Sequence, residues 1–345
     1  NSEPTSNVVL AISSNDTNES TVSTGSITFT SENWDTPQTV SVTGADDNFA
    51  DGSQASTVSV SVVDQSSDNS FDSLPDQTIN VSTADNDVAG YTVAETAGST
   101  SVNESGTTDT FTIVLNAQPV PDQQVVFSII SSDTGEATVT SNLTFTNGNW
   151  NTPQTVTVTG VDDSLLDGNQ SSTFTISIVD ASSSDEFDTV ANQTVTGTIV
   201  DDDVAGFTVA EISGTSVSET GTTDTFTVVL DAQPTNNVVL AITSSDAGEA
   251  TVNSPLTFTN ANWNTAQTVT VTGVDDNIID GNINSTITIS VVDAVSDDDF
   301  DPVANQTVTA TTTDNDVAGF TIAQTGGSTS VAETGTTDTF TIVLN

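Results

Sequence analysis

Apolar and polar positions alternate along most of this chain. In "TFTIVLN" (110–116), "VVFSIIS" (125–131), "LTFT" (143–146), "QTVTVTG" (154–160), "STFTISIVD" (172–180) and "QTVTGTIV" (193–200), apolar residues mostly take every second place, with Thr, Ser or Gln between them. Successive side chains of a β-strand point to opposite faces, so this period of two predicts strands with one buried and one solvated face. Phe111, Ile113 and Leu115 are expected to point inward from one strand, with Phe127 and Ile129, Phe145, Val156 and Val158, and Phe174, Ile176 and Ile178 from others. Gly, Asn, Asp and Pro punctuate the runs as turns require, and no window shows a helical period with caps. With "GFTVAE" (206–211) opening the next unit, about seven short strands make one unit, the pattern of an all-β, immunoglobulin-like antiparallel β-sandwich.

The unit recurs. "DVAGYTVAE", "DVAGFTVAE" and "DVAGFTIAQ" begin at Asp87, Asp203 and Asp316, steps of 116 and 113, and Trp34, Trp150 and Trp263 step by the same intervals. A period of about 115 residues is too long for a solenoid repeat and fits one small domain per repeat. "NSEPTSNVVLAISS" from Asn1 aligns with "NAQPVPDQQVVFSIISS" from Asn116 and "DAQPTNNVVLAITSS" from Asp231, and "FTIVLN" ends at Asn345 in the phase of Asn116. The expected organisation is therefore a partial repeat over 1–87 lacking its first two strands, complete repeats over 88–203 and 204–316, and the first two strands of a further repeat over 317–345. Such edges are expected in a slice of a longer chain, or in chains joined head to tail, the tail of one completing the head of the next by strand donation. Each Trp precedes a strand and is expected to cover one end of its core.

Composition changes the picture in one respect. The 345 residues include 48 Asp and Glu but no Lys, Arg or His, for a formal charge of −48. No side-chain salt bridge is possible, and like charges about 4 Å apart repel by roughly 4 kcal/mol at an effective dielectric near 20. Clustered carboxylates must then be solvated, protonated or bound to external cations. Nucleic acid and anionic membrane surfaces are excluded as partners, since both require a basic face, and no apolar run is long enough to insert into a membrane. The absence of Cys removes disulfides, leaving a bound cation as the strong local staple. An apolar content of 34% is below the usual range, which Thr-rich outer faces explain.

Three acidic elements recur in each repeat. The first is a loop, "GADDNFADG" (44–52), "GVDDSLLDG" (160–168) and "GVDDNIIDG" (273–281), carrying Asp46, Asp47 and Asp51, then Asp162, Asp163 and Asp167, then Asp275, Asp276 and Asp280. The second is a Glu after a short strand: Glu104 in "SVNESG", Glu219 in "SVSETG" and Glu333 in "SVAETG". The third is the joint between repeats: Asp85, Asn86 and Asp87; Asp201, Asp202 and Asp203; Asp314, Asn315 and Asp316. Antiparallel connectivity places all three at one end of a sandwich. Ca2+ takes about six to eight hard oxygens in a flexible shell, whereas Mg2+ prefers fewer carboxylates and Zn2+ favours the absent His and Cys. Calcium ions are the expected partner.

Strand-DDD-x-AG-strand, the "SVxE" element and the "DDxxxD" loop together resemble the Calx-β domains of sodium/calcium exchangers and of many large bacterial surface proteins. The resemblance covers both complete repeats and the two fragments. It implies a seven-stranded sandwich that holds calcium where one domain meets the next, with Glu104, Asp162, Asp163, Asp167, Asp201, Asp202 and Asp203 as candidate ligands in one repeat and Glu219, Asp275, Asp276, Asp280, Asp314 and Asp316 in the following one. The family usually has Glu where Asp51, Asp167 and Asp280 stand. Its further acidic position, in a "DY" element, has no clear counterpart; "SSDTGEATV" offers Asp133 and Glu136 without a register. Asn86 and Asn315 replace the middle Asp of the joint, which implies fewer or weaker ion sites.

The expected function is structural: a calcium-rigidified rod, filament subunit or adhesin stalk at an extracellular bacterial surface. A calcium-dependent adhesion module that binds a glycan or another cell surface is the alternative. No catalytic residue is expected, because triads and Schiff bases need residues the chain lacks, and paired carboxylates would need a cleft.

Overall fold

The computed structural model describes residues 2–345, and their regular structure is all β, broken only by three-residue 3-10 turns. The chain forms two compact units, one of residues up to Asp162 with Gln170–Val200, the other of Asp163–Asn169 with Asp201–Asn345.

The first unit contains a complete sandwich. One sheet runs in the order Asn142–Thr146, Gln124–Ser131, Gln170–Ile178, Gln193–Val200, Thr100–Asn103; the other runs Ala137–Val139, Gln154–Gly160, Thr108–Leu115, Tyr91–Glu95. The alternation read from sequence holds here: Phe111, Ile113, Phe127, Phe145, Val156, Val158, Phe174 and Ile176 are 0% exposed, Ile129 1% and Leu115 3%, with Ile178 packed at the margin. Tyr91, Phe127 and Phe145 stack edge to face, with centroids 4.8 and 5.8 Å apart. Trp150 packs half-buried against this core.

The sandwich has nine strand segments where about seven are expected. The opening strand is divided at Thr96–Gly98, where Ala97 takes a left-handed φ of 59°. Before the break it pairs antiparallel with Thr108–Leu115; after it, the chain crosses to the other sheet and Thr100–Asn103 pairs parallel with Gln193–Val200. Ala137–Val139 is the second addition, a short strand on the edge of Gln154–Gly160.

The same unit holds the first repeat, with the sheet Ser26–Phe29, Val8–Ser14, Gln54–Val62, Gln77–Thr83 and the pair Ser20–Val22 and Val42–Gly44. Among the described residues, no strand there holds the place of Thr108–Leu115. The second unit repeats the complete plan: Thr215–Ser218, Gln306–Thr313, Ile283–Val291, Val238–Ser244, Leu256–Phe258 in one sheet, and Phe207–Glu211, Thr223–Leu230, Gln267–Gly273, Ala250–Val252 in the other. Its last strands, Phe320–Gln324 and Phe340–Leu344, pair with each other.

The acidic loops are stitched down by main-chain bonds. In the first unit Phe49 bridges Gln118 in parallel, the Gln118 N–H donates to Asn48 O at 2.7 Å, and Ala50 joins the core of the complete sandwich. In the second unit Leu165 bridges Gln233 in the same way, the Gln233 N–H donates to Ser164 O at 2.7 Å, and Leu166 packs against the core.

Candidate metal centre

The acids are best seen at the pole of the sandwich in the second unit. Glu219 follows Thr215–Ser218, and its N–H donates to Thr313 O at 3.2 Å, which places it beside the joint at the end of Gln306–Thr313. This approach depends on Gly273: a Cβ there would lie 2.2 Å from Ser218 O, so any side chain would drive the Glu-bearing turn away. At the loop, Gly281 has φ 76° and its N–H donates to Asp314 Oδ2 at 2.8 Å, while the Asp316 N–H donates to Asp314 Oδ1 at 2.7 Å. Glycine is suited to both demands.

The result is two acid groups that share one residue. Glu219, Asp314 and Asp316 each offer an oxygen within 4.8 Å of the others, and so do Glu219, Glu249 and Asp280. Glu219 is 1% exposed and Glu249 6%. Glu249 Oε2 and Asp316 Oδ2 are buried with no hydrogen-bond partner.

The electrostatics follow from this crowding. Burial first, then the charges of Asp280, Asp276, Glu219 and Asp246, push the Glu249 carboxyl above its usual range. Burial and the neighbouring carboxylates of Asp314, Asp275, Asp276 and Asp280 do the same to Asp316. At Glu219 a hydrogen bond from the Asn315 N–H lowers the pKa, yet burial and Asp314, Asp276 and Asp316 outweigh it and the net shift is upward. Asp314 moves downward, held ionised chiefly by the N–H groups of Asp316 and Gly281. One anchored carboxylate is thus ringed by three that resist ionisation without an external cation.

Glu249 was not among the site residues read from sequence. Glu19, Glu136 and Glu249 recur at steps of 117 and 113, in the phase of the whole repeat, and that recurrence was the available signal. Their main chain is fixed in the same way, with Ala45, Val161 and Val274 N–H donating to the carbonyls of Glu19, Glu136 and Glu249 at 2.9, 2.9 and 2.8 Å. The middle joint residue behaves differently from its neighbours. Asn86, Asp202 and Asn315 are all exposed, and Asn315 donates its side-chain N–H to Asp275 Oδ1 at 3.0 Å, acting as a donor to an acid.

The other sets divide as follows. In the first repeat Asp85 accepts from Asp87, Gly52 and Asp51 N–H at 2.7, 2.8 and 3.1 Å, which together outweigh burial and lower its pKa. Burial, then Asp51, Asp47, Asp16 and Asp85, raise Glu19; burial, then Asp85, Asp46 and Asp47, raise Asp87; burial also raises Asp51. Of the middle set, Glu104 and Asp162 belong to the first unit, where the Glu104 N–H donates to Val200 O at 3.1 Å and the side chain is 2% exposed. Asp163, Asp167, Asp201, Asp202 and Asp203 belong to the second, where Asp201 accepts from Gly168 and Asp203 N–H, both at 2.8 Å. Glu333 is exposed on the terminal hairpin.

No family model and no curated relative matches the chain. Solved structures with similarity include domains 4–9 of the surface-layer protein SbsC, at 18% identity over 94% of this chain and 41% of that one, TM-score 0.27. CBD12 from CALX1.2 matches at 13% identity over 57% of this chain and 79% of that one, TM-score 0.25. The D0–D1 domain of intimin matches at 18% identity over 64% and 94%, TM-score 0.21. The chain spans about two fifths of the length of the surface-layer structure.

Proposed function

We propose that this is a structural repeat protein of an extracellular bacterial surface, a rod, filament subunit or adhesin stalk whose joints are rigidified by calcium. The observation that carries the reading is the pair of acid groups sharing Glu219 in a chain without a single cationic side chain. Glu219, Glu249, Asp280, Asp314 and Asp316 would hold the ions, and the buried, unpartnered oxygens of Glu249 and Asp316 fit that role. Their donor set is all oxygen, as Ca2+ prefers. Bound calcium would neutralise the repulsion at the pole and tie the loop, the short strand and the joint together.

Extracellular modules of this kind bind calcium at about 10⁻⁴ to 10⁻³ M. Titration calorimetry should show binding in that range, and the melting temperature should rise by more than 10 °C, an order-of-magnitude expectation for ligand linkage. Small-angle scattering in calcium and in chelator should show a fixed maximum dimension in the first and a broader, shorter distribution in the second. Unchanged melting and unchanged scattering would remove the reading.

A further inference from the structure

Only one peptide bond in the sequence joins an aspartate to a proline, Asp301–Pro302. Neither residue belongs to the acid groups at the pole. The bond lies in the segment that leads from Ile283–Val291 to Gln306–Thr313, just after the 3-10 turn Asp298–Phe300. That segment is pinned on both sides of the bond. Phe300 is 0% exposed, Val303 packs against the same core, and the Val303 N–H donates to Phe300 O at 3.0 Å. Between these anchors Asp301 and Pro302 are both exposed, so water reaches the bond.

The same turn recurs without the proline. Phe187 is 0% exposed, the Val190 N–H donates to Phe187 O at 3.1 Å, and Asp188–Thr189 takes the place of Asp301–Pro302. In the first repeat the Leu74 N–H donates to Phe71 O at 3.0 Å around Asp72–Ser73. Asp188 and Asp301 have similar main chains, with φ and ψ of −61° and −28° in the first and −55° and −39° in the second. The residue that follows the acid is what sets Asp301 apart.

We propose that Asp301–Pro302 is a self-cleaving bond that the folded protein opens in mild acid, with water as the co-reactant.

The chemistry follows from the two residues. With ψ at −39° the Cα–Cβ bond of Asp301 stands nearly perpendicular to the plane of the peptide bond to be cleaved. The carboxyl can then approach the carbonyl carbon from one face of that plane. Attack by an Oδ atom forms a C–O bond and closes a cyclic anhydride. The carboxyl proton passes to the Pro302 nitrogen, the C–N bond breaks with its electron pair on nitrogen, and the proline leaves as a secondary amine. Water then adds to the anhydride and leaves Asp301 with a free α-carboxyl beside its own side-chain carboxyl. A single water molecule is consumed, and nothing is oxidised or reduced.

Proline favours this route in two ways. Its nitrogen carries an extra alkyl substituent, which makes it more basic and a better leaving group once protonated. It also has no hydrogen, so the competing attack of the main-chain nitrogen on the side-chain carboxyl, which rearranges other aspartyl bonds, is closed. Asp188–Thr189 and Asp72–Ser73 have neither property.

The surroundings set the pH at which the bond opens. The neutral carboxyl brings both the attacking oxygen and the proton. Loss of hydration first, then the charges of Asp293, Asp298 and Asp297, push the Asp301 carboxyl above its usual range. Asp299 lies on the same turn, and no cationic side chain exists to oppose these acids. The reactive form therefore persists to a higher pH in the folded turn than in an unfolded chain.

Cleavage would not release a piece at once. Gln306–Thr313 pairs antiparallel with Ile283–Val291 and parallel with Thr215–Ser218, so main-chain bonds would keep the severed strand in its sheet. The backbone would be cut just ahead of the joint at Asp314–Asp316, and its parts would separate only when pulled or unfolded.

The whole protein can be held at about pH 4, near the ordinary carboxyl pKa, and at neutral pH, while tryptophan fluorescence follows the fold and intact mass follows the chain. Fragments 1–301 and 302–345 are expected, forming about tenfold or more faster in acid, with the bonds after Asp188 and Asp72 left whole. Asp301→Ser and Pro302→Ala should each keep the chain intact; both positions are exposed, so these variants fold. Asp293→Asn should move the midpoint of the pH profile downward, and Thr189→Pro should open the bond after Asp188 as well. An intact chain in acid, equal breakage after Asp188 or Asp72, breakage in Asp301→Ser, or a break that appears only once urea has unfolded the protein would overturn the proposal.

Discussion

Glu219 belongs to both acid groups, so one isosteric change separates binding from folding. Its folded pKa lies above the ordinary value, which means its ionised form is disfavoured in the native state and costs stability at neutral pH when no ion is present. Glu219→Gln should therefore melt at an equal or higher temperature in chelator and lose more than half of the stabilisation by calcium, as read by calorimetry. Asp68 behaves in the opposite sense. It accepts from the Thr5 hydroxyl at 2.6 Å, the Thr5 N–H at 2.7 Å and the Ser70 N–H at 3.0 Å, and these bonds hold its carboxyl far below the usual range. A depressed acid stabilises above its unfolded pKa, about 3.9, and the gain fades as pH falls below that. Asp68→Asn should melt several degrees lower than the wild type at pH 7, with the difference shrinking towards pH 2. Glu219, Asp314 and Asp316 were legible because motif and phase named them. Glu249 was not, because "AGEATV" reads locally as a turn and its burial arises only when Ala250–Val252 pairs with Gln267–Gly273.

The strand runs were legible because a period of two and one buried face leave a one-residue slip no alternative. The division of the opening strand was not. It depends on Ala97 and Gly98 turning left-handed and on a parallel pairing with a strand about a hundred residues on, which no local pattern encodes. Gly273 allows a sharp test of how that crossed strand is held. Gly273→Ala would put a methyl against Ser218 O, costing about 2 kcal/mol or more by overpacking, and should reduce calcium affinity because Glu219 moves with the turn. Gly44→Ala in the first repeat meets only a flexible methyl, so it should leave the melting of dilute protein unchanged.

Taken whole, the chain is a polyanion of charge −48 held together by apolar cores. Screening shortens the range of its self-repulsion from about 30 Å at 0.01 M salt to 3 Å at 1 M. In chelator, melting should climb steeply with sodium chloride; in saturating calcium the slope should be much shallower, which differential scanning calorimetry can compare directly. The parallel pairing has a mechanical meaning beyond stability. In each complete sandwich the strand near its start, Thr100–Asn103 or Thr215–Ser218, lies parallel to the strand at its end, Gln193–Val200 or Gln306–Thr313. Tension carried along the backbone pulls such a pair in opposite directions along one axis, so the cross-strand bonds share the load in shear and do not peel apart singly.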